Sequence, residues 1–141
     1  MQDHDMIIEY LYIGNKKAAE YNNSKFSLIV NCTLDIPFQN NINSIRIPVK
    51  DDPLECNKFI QYLNETNVLK KINNHILNKQ HVLVHCSQGS QRSCALVACY
   101  MIKYYNLTLN ETISFIKKQR PIAFFGQINF INAIDFFQKN T

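Results

Sequence analysis

Three features of this chain predict a single α/β domain, with a twisted, mixed and mainly parallel sheet carrying helices on both faces. Short β-branched apolar runs alternate with segments whose apolar residues recur at helical spacing, the pattern of strands joined by helical crossovers. The helical segments gather in the second half of the chain. One polar stretch, His85-Cys86-Ser87-Gln88-Gly89-Ser90-Gln91-Arg92-Ser93, joins the apolar run Val82-Leu83-Val84 to a second apolar run, Cys94 to Ile102. A strand end feeding a helix start is where an open α/β sheet places its ligand. With 141 residues, 46% hydrophobic and 18% charged, the chain suits one core, and residues 1–141 are read as one domain.

Taken in order, Ile7 to Ile13 reads as one or two short strands ended by Gly14. Asn15 can cap a short helix over Lys16–Tyr21. Phe26 to Cys32 is nearly continuously apolar, so it is expected as a central strand. Asn40 to Asn43 is turn material. Ser44 to Val49 alternates, with Ile45, Ile47 and Val49 on one face. Pro53 drives Asp52 into an extended conformation and opens a helix. That helix is expected from Leu54 to about Leu77, with a break near Asn67. His81–His85 is a strand, and a buried helix follows to about Tyr105. Thr108 and Glu111 have capping-box spacing, which starts a helix that runs to Gln119 and stops at Pro121. Ile122–Gly126 is an apolar loop, and a last helix is expected over Gln127–Gln138, with Phe130, Ile131, Ile134 and Phe137 on one stripe.

The residue types of the polar stretch suit an oxyanion. Gly89 allows a backbone curl that turns N–H groups inward, and inward N–H groups make an anion nest. Arg92 offers a planar fork for two phosphate oxygens. A thiol at a helix N-terminus beside a cation has its thiolate stabilised, which makes Cys86 a candidate nucleophile. Ser93 can donate a hydrogen bond to that sulfur.

Cys86, five residues, then Arg92, preceded by His85 and followed by Ser93, resembles the signature of cysteine-dependent protein phosphatases, and within them the dual-specificity phosphatases. Leu11-Tyr12-Ile13-Gly14-Asn15, with Ala18 and Ala19, resembles that family's opening strand and turn. Ile47-Pro48-Val49-Lys50-Asp51-Asp52 resembles the stretch that carries its general acid, in a form similar to the small poxvirus-type members. The resemblance runs from about Leu11 to Phe137. It implies hydrolysis of phosphotyrosine and phosphoserine or phosphothreonine in proteins through a cysteinyl phosphate. It implies Cys86 as nucleophile and Arg92 as transition-state ligand, with Ser87, Gln88, Gly89, Ser90 and Gln91 also holding the phosphate. Ser93 would assist the departing sulfur, and His85 would support the loop. The same match points to Asp51 as the acid that protonates the leaving oxygen, with Asp52 as its competitor; the bland role for either is a solvated or capping aspartate before Pro53. The chain departs from the family at Gln91, where Ser or Asn is usual. It departs again at Ala123-Phe124-Phe125-Gly126, where many relatives carry a Pro-Asn pair. Phe124 and Phe125 are therefore either pocket wall or core.

Composition narrows the partners. The net charge is +4, with cations in small groups (Lys16-Lys17, Lys70-Lys71, Lys117-Lys118-Arg120), as on solvated helix faces rather than a nucleic-acid patch. The expected partner is a phosphorylated protein; no nucleic acid, no membrane and no cofactor or metal is expected, and a monomer is favoured. Five cysteines and an acidic Met1–Asp5 segment are read as a reduced, cytoplasmic protein without a signal peptide. Cys32, Cys56, Cys94 and Cys99 are assigned to packing. Two other readings stand beside the leading one. An RNA 5′-phosphatase or phosphoinositide phosphatase would be expected to carry cations in its loop, where Ser87, Gln88, Ser90 and Gln91 are neutral. A non-catalytic phosphate-binding module would be expected to lack the nucleophile, the arginine or the acid.

Overall fold

In the computed structural model, which describes residues 2–21, 23–38 and 42–141, the first two strands, β1 (His4–Ile8) and β2 (Leu11–Gly14), form an antiparallel pair. The chain reverses between them with Tyr10 at φ 73°. β3 (Leu28–Asn31), β4 (Asn43–Arg46) and β5 (Val82–His85) complete a five-stranded sheet in the order β1-β2-β5-β3-β4. All pairings after the first are parallel. β2, β3 and β5 are buried at every position, as parallel strands covered on both faces must be.

Two strands differ from their expected bounds. The run Phe26–Cys32 supplies an interior strand one place from the middle, and β5 takes the central position. Its ladder still extends past β3, because the Ser27 N–H donates to His81 O and the Cys32 N–H to His85 O, each at 2.8 Å. The run Ser44–Val49 pairs only as far as Arg46. Ile47 makes one more ladder bond, to Asn31 O at 2.9 Å; Pro48 then has no N–H to give. Ile47 and Val49 nevertheless bury their side chains. The turn expected over Asn40–Asn43 falls largely outside the described residues; Asn43 itself opens β4.

The helices are α1 (Lys16–Tyr21), α2 (Cys56–Thr66), α3 (Val68–Leu77), α4 (Arg92–Tyr105), α5 (Leu109–Gln119) and α6 (Ile131–Lys139). Strand alternation divides the core in two. Leu11, Ile13, Val82, Val84, Leu28 and Val30 join the large cluster with α2 to α6. Tyr12, Leu83 and Ile29 face the other way, onto α1 and Phe26. Both faces carry helices, as expected, though very unequally. The α2–α3 break falls at Asn67, at φ 56° and ψ 33°, a left-handed state that asparagine tolerates. Thr108 Oγ1 accepts from the Glu111 N–H at 3.2 Å, and the Glu111 carboxylate accepts from the Thr108 N–H at 2.9 Å, closing the capping box. α4 is buried without interruption from Ser93 to Ile102, so the helix that starts at the polar loop is anchored by its whole length. α6 begins four residues later than expected, at Ile131 instead of Gln127. The residues it gives up have another task, described next.

Candidate active site

The loop between β5 and α4 is shaped from behind. Its carbonyl groups are held by neighbouring elements. Ser87 O accepts from the Lys16 N–H at 3.0 Å and Ser90 O from the Phe124 N–H at 2.7 Å. Gln88 O and Gly89 O accept from Arg120, through Nη2 at 3.2 Å and Nε at 2.8 Å. Cys94 Sγ adds a contact to Gly89 O at 3.4 Å. In a planar trans peptide the N–H points opposite to the C=O. The N–H groups of Gln88, Gly89, Ser90 and Gln91 therefore point to the inner side of the loop, and none has a protein acceptor among the described residues. Gly89 sits at φ +69°, and a Cβ there would lie 2.6 Å from Gly14 O and 2.7 Å from Arg120 Nη2, so only glycine fits. Arg120 is wholly buried, and its charge is met by Asp5 Oδ2 at 2.8 Å and by Gln2 O at 3.1 Å. A buried guanidinium is tolerable only with such pairing.

The loop's N–H groups, the start of α4 and Arg92 surround Cys86. Its Sγ lies 3.2 Å from Ser93 Oγ, and both residues are buried. Arg92 spends Nη1 on Val49 O at 3.1 Å, while its buried Nε finds no protein acceptor among the described residues. The Nε edge of the fork is thus left for an oxyanion. Burial pushes the thiols of Cys32, Cys94 and Cys99 above the ordinary range, so they stay protonated and inert.

Across the opening lies the loop after β4. Asp51 lines the same cavity as Cys86 and Arg92, a space of about 390 Å³. Its Oδ1 accepts from Asn129 Nδ2 at 2.8 Å. Asp52 is extended, at φ −149° and ψ 133°, and its Oδ1 caps the 3₁₀ turn Pro53–Glu55 by accepting from the Leu54 N–H at 2.8 Å. Of the two phenylalanines, Phe124 is core, whereas Phe125 is 78% exposed and forms one wall of the cavity.

Residues 11–140 match the family model described as the dual specificity phosphatase catalytic domain. The chain belongs to the dual-specificity phosphatase family. The 123R protein of Invertebrate iridescent virus 6 is 30% identical over 134 residues, which cover 94% of this chain and 90% of that protein. Dual specificity protein phosphatase 14 of Mus musculus is 34% identical over 98 residues, covering 67% of this chain and 46% of its own length. The chain thus spans nearly all of the first relative and under half of the second. In fold it is similar to human DUSP28, at a TM-score of 0.87 and 21% identity, covering 99% of this chain and 95% of that one.

The two departures from this phosphatase family's pattern meet in space. Gln91, 7% exposed, reaches with its side chain into the loop after α5. Its Nε2 donates to Phe125 O at 3.1 Å and Gln127 O at 2.8 Å, and its Oε1 accepts from the Asn129 N–H at 3.0 Å. Gln91 thus spends its side chain on the segment that borders the cavity, and Gln127 O and the Asn129 N–H are committed outside α6. Sequence reasoning missed Asn129 as a site residue, and it missed the supporting roles of Gln91 and Arg120. The available signal was that Gln91 and the 123–126 segment both break the family pattern, as paired changes do when one compensates the other.

His85 is buried beside the phosphatase loop and donates from Nδ1 to Cys86 O at 3.3 Å. Burial is the main cause that lowers its pKa from 6.5 to about 4, so the ring is neutral at pH 7. The unfolded chain binds the proton more readily, so stability is whole above pH 6.5 and falls as pH drops toward 4. The fall should approach roughly 3 kcal/mol from this residue alone. Between pH 7 and 4.5, urea unfolding of the native chain should show about 2–3 kcal/mol more loss than that of His85→Gln. Equal losses would mean that His85 does not titrate on unfolding in this range.

Proposed function

We propose that residues 1–141 form a catalytic unit that hydrolyses phosphotyrosine and phosphoserine or phosphothreonine in proteins, by two displacements at phosphorus. The observation that carries this reading is the convergence of four acceptor-free loop N–H groups and the free Arg92 Nε edge around Cys86. In the first displacement the Cys86 thiolate forms the S–P bond as the P–O bond to the leaving group breaks. The equatorial oxygens are held by the loop N–H groups and Arg92. Asp51 gives its proton to the departing phenol or alcohol oxygen. In the second, water loses a proton to Asp51 and attacks phosphorus; the S–P electron pair returns to sulfur, which Ser93 Oγ–H stabilises from its place 3.2 Å away.

A phosphorylated protein is favoured as substrate over a polyphosphate. Among the described residues lining the cavity, Arg92 is the only cation, whereas several adjacent phosphates call for several cations. A purely binding role is disfavoured because thiol, fork and carboxylate all line one cavity. All five cysteines are unpaired, which fits a reducing, cytoplasmic setting. Among the described residues no helix is long and apolar enough to cross a membrane.

The test is turnover of an aryl phosphate, a phosphotyrosine peptide, a phosphothreonine peptide and a 5′-triphosphate RNA by one preparation. Release of phosphate from the first three and not from the RNA is expected. RNA turnover exceeding peptide turnover would overturn the substrate assignment, and no turnover of any substrate would leave only the binding role.

A further inference from the structure

We infer that Asn129 is a positioning residue for the acid Asp51, and that Gln91 locks Asn129 in place, so that the phosphate loop and the acid loop are set in register by one polar bridge. This inference rests on Asp51 being the acid. Asp51 is exposed on its loop, and an exposed carboxylate ordinarily samples several rotamers. Here the Asn129 amide donates to Oδ1 at 2.8 Å. With Oδ1 occupied as an acceptor, the acid proton belongs on Oδ2, the oxygen left free for the leaving group. The direction of the Asn129 amide follows from its partner: an ionised carboxylate only accepts, so Nδ2 faces Asp51, and Oδ1 is left to accept from Gln127 Nε2 at 3.3 Å.

Asn129 is fixed in turn. Its backbone N–H donates to Gln91 Oε1 at 3.0 Å, and its carbonyl accepts from Cys56 Sγ at 3.7 Å. Gln91 uses both amide hydrogens on the same segment, at Phe125 O and Gln127 O. Ser90 adds a bond from Oγ to Ile122 O at 3.0 Å, and Phe124, at φ 57°, gives its N–H to Ser90 O. A buried phenylalanine in the left-handed region persists only where its surroundings over-determine it. The segment is therefore rigid where it meets the phosphate loop. The acid loop is tied to the same frame at its base, where Val49 O accepts from Arg92. Position matters because a displacement of about 1 Å between reacting groups can cost roughly 100-fold in rate.

The experiment compares phenyl phosphate, a poor leaving group, with 2,4-dinitrophenyl phosphate, which needs no proton. In Asp51→Asn, kcat should fall about 10²–10³-fold on the first and little on the second. Asn129→Ala should lower kcat about tenfold on phenyl phosphate only, with unchanged binding of inorganic phosphate. Gln91→Ala should show the same leaving-group signature. Combining Asn129→Ala with Asp51→Asn should add no further loss, since a residue that acts through Asp51 has nothing left to act on. If Asp51→Asn lacks the leaving-group signature, the acid assignment fails and this inference with it. If Asp51→Asn shows the signature but Asn129→Ala slows both substrates equally, or its loss persists in the double variant, Asn129 is merely structural and only the inference is overturned.

Discussion

Cys86→Ser is expected to lose turnover of aryl phosphate and phosphopeptide by at least about 10⁴-fold, while inorganic phosphate still binds. The two effects separate because they rest on different groups. Turnover needs an anionic nucleophile, and a serine hydroxyl keeps its proton at neutral pH. Binding needs the loop N–H groups, whose carbonyls are held by Lys16, Arg120 and Phe124, and among the described residues none of these three is hydrogen-bonded to Cys86. Serine leaves those N–H groups and Arg92 in place, so phosphate should still bind. Titration calorimetry with phosphate and a discontinuous phosphate-release assay would measure the two quantities. Turnover that survives would mean another nucleophile. Loss of binding together with turnover would mean that the sulfur itself holds the loop.

Arg92→Lys should be nearly as damaging, with a fall of roughly 10²–10³-fold in kcat/KM. Arg92 does two things at once: Nη1 holds Val49 O, while the Nε edge stays free for oxyanion oxygens. An ammonium is a point charge with no fork, so it cannot do both in one geometry. Net charge is conserved, so encounter with a charged substrate changes little and the loss should fall mainly on kcat. A decrease below about tenfold would rule out bidentate contact in the transition state.

The parts of this molecule that were legible beforehand are those written in neighbouring residues. The strand–loop–helix passage through Cys86 showed itself by an apolar run, a polar gap and another apolar run. Pro53 announced the helical turn it opens, Asn67 the break, and Thr108 with Glu111 the cap. Each rests on contacts within a few positions. What could not be read joins residues far apart. Gln91 meets residues 34 to 38 positions away, Asn129 meets Asp51 across 78, and Arg120 meets Asp5 across 115. Such polar contacts have no period and leave no local composition mark. The start of α6 differs for the same reason: Gln127 to Phe130 have helical patterning, but Gln91 takes Gln127 O and the Asn129 N–H. The two aspartates separated only in three dimensions, where one lines the cavity and its neighbour caps a turn.

The acceptor-free cradle has a consequence for how the enzyme works under load. In the proposed mechanism four peptide N–H groups and a guanidinium edge, none with a protein acceptor among the described residues, recognise a tetrahedral oxyanion without regard to what is attached to it. Orthophosphate, the product of every turnover, satisfies them as fully as a phosphorylated side chain does. Substrates therefore compete with accumulated product by mass action, and the phosphoryl group gives them no advantage in that contest. Discrimination falls to whatever the rest of the substrate touches. Around the opening, that includes the exposed ring of Phe125 and the polar side chains of Gln88, Gln127 and Asn129. Under the proposed mechanism, retention of a phosphoprotein against its own product is decided at the rim and not in the cradle.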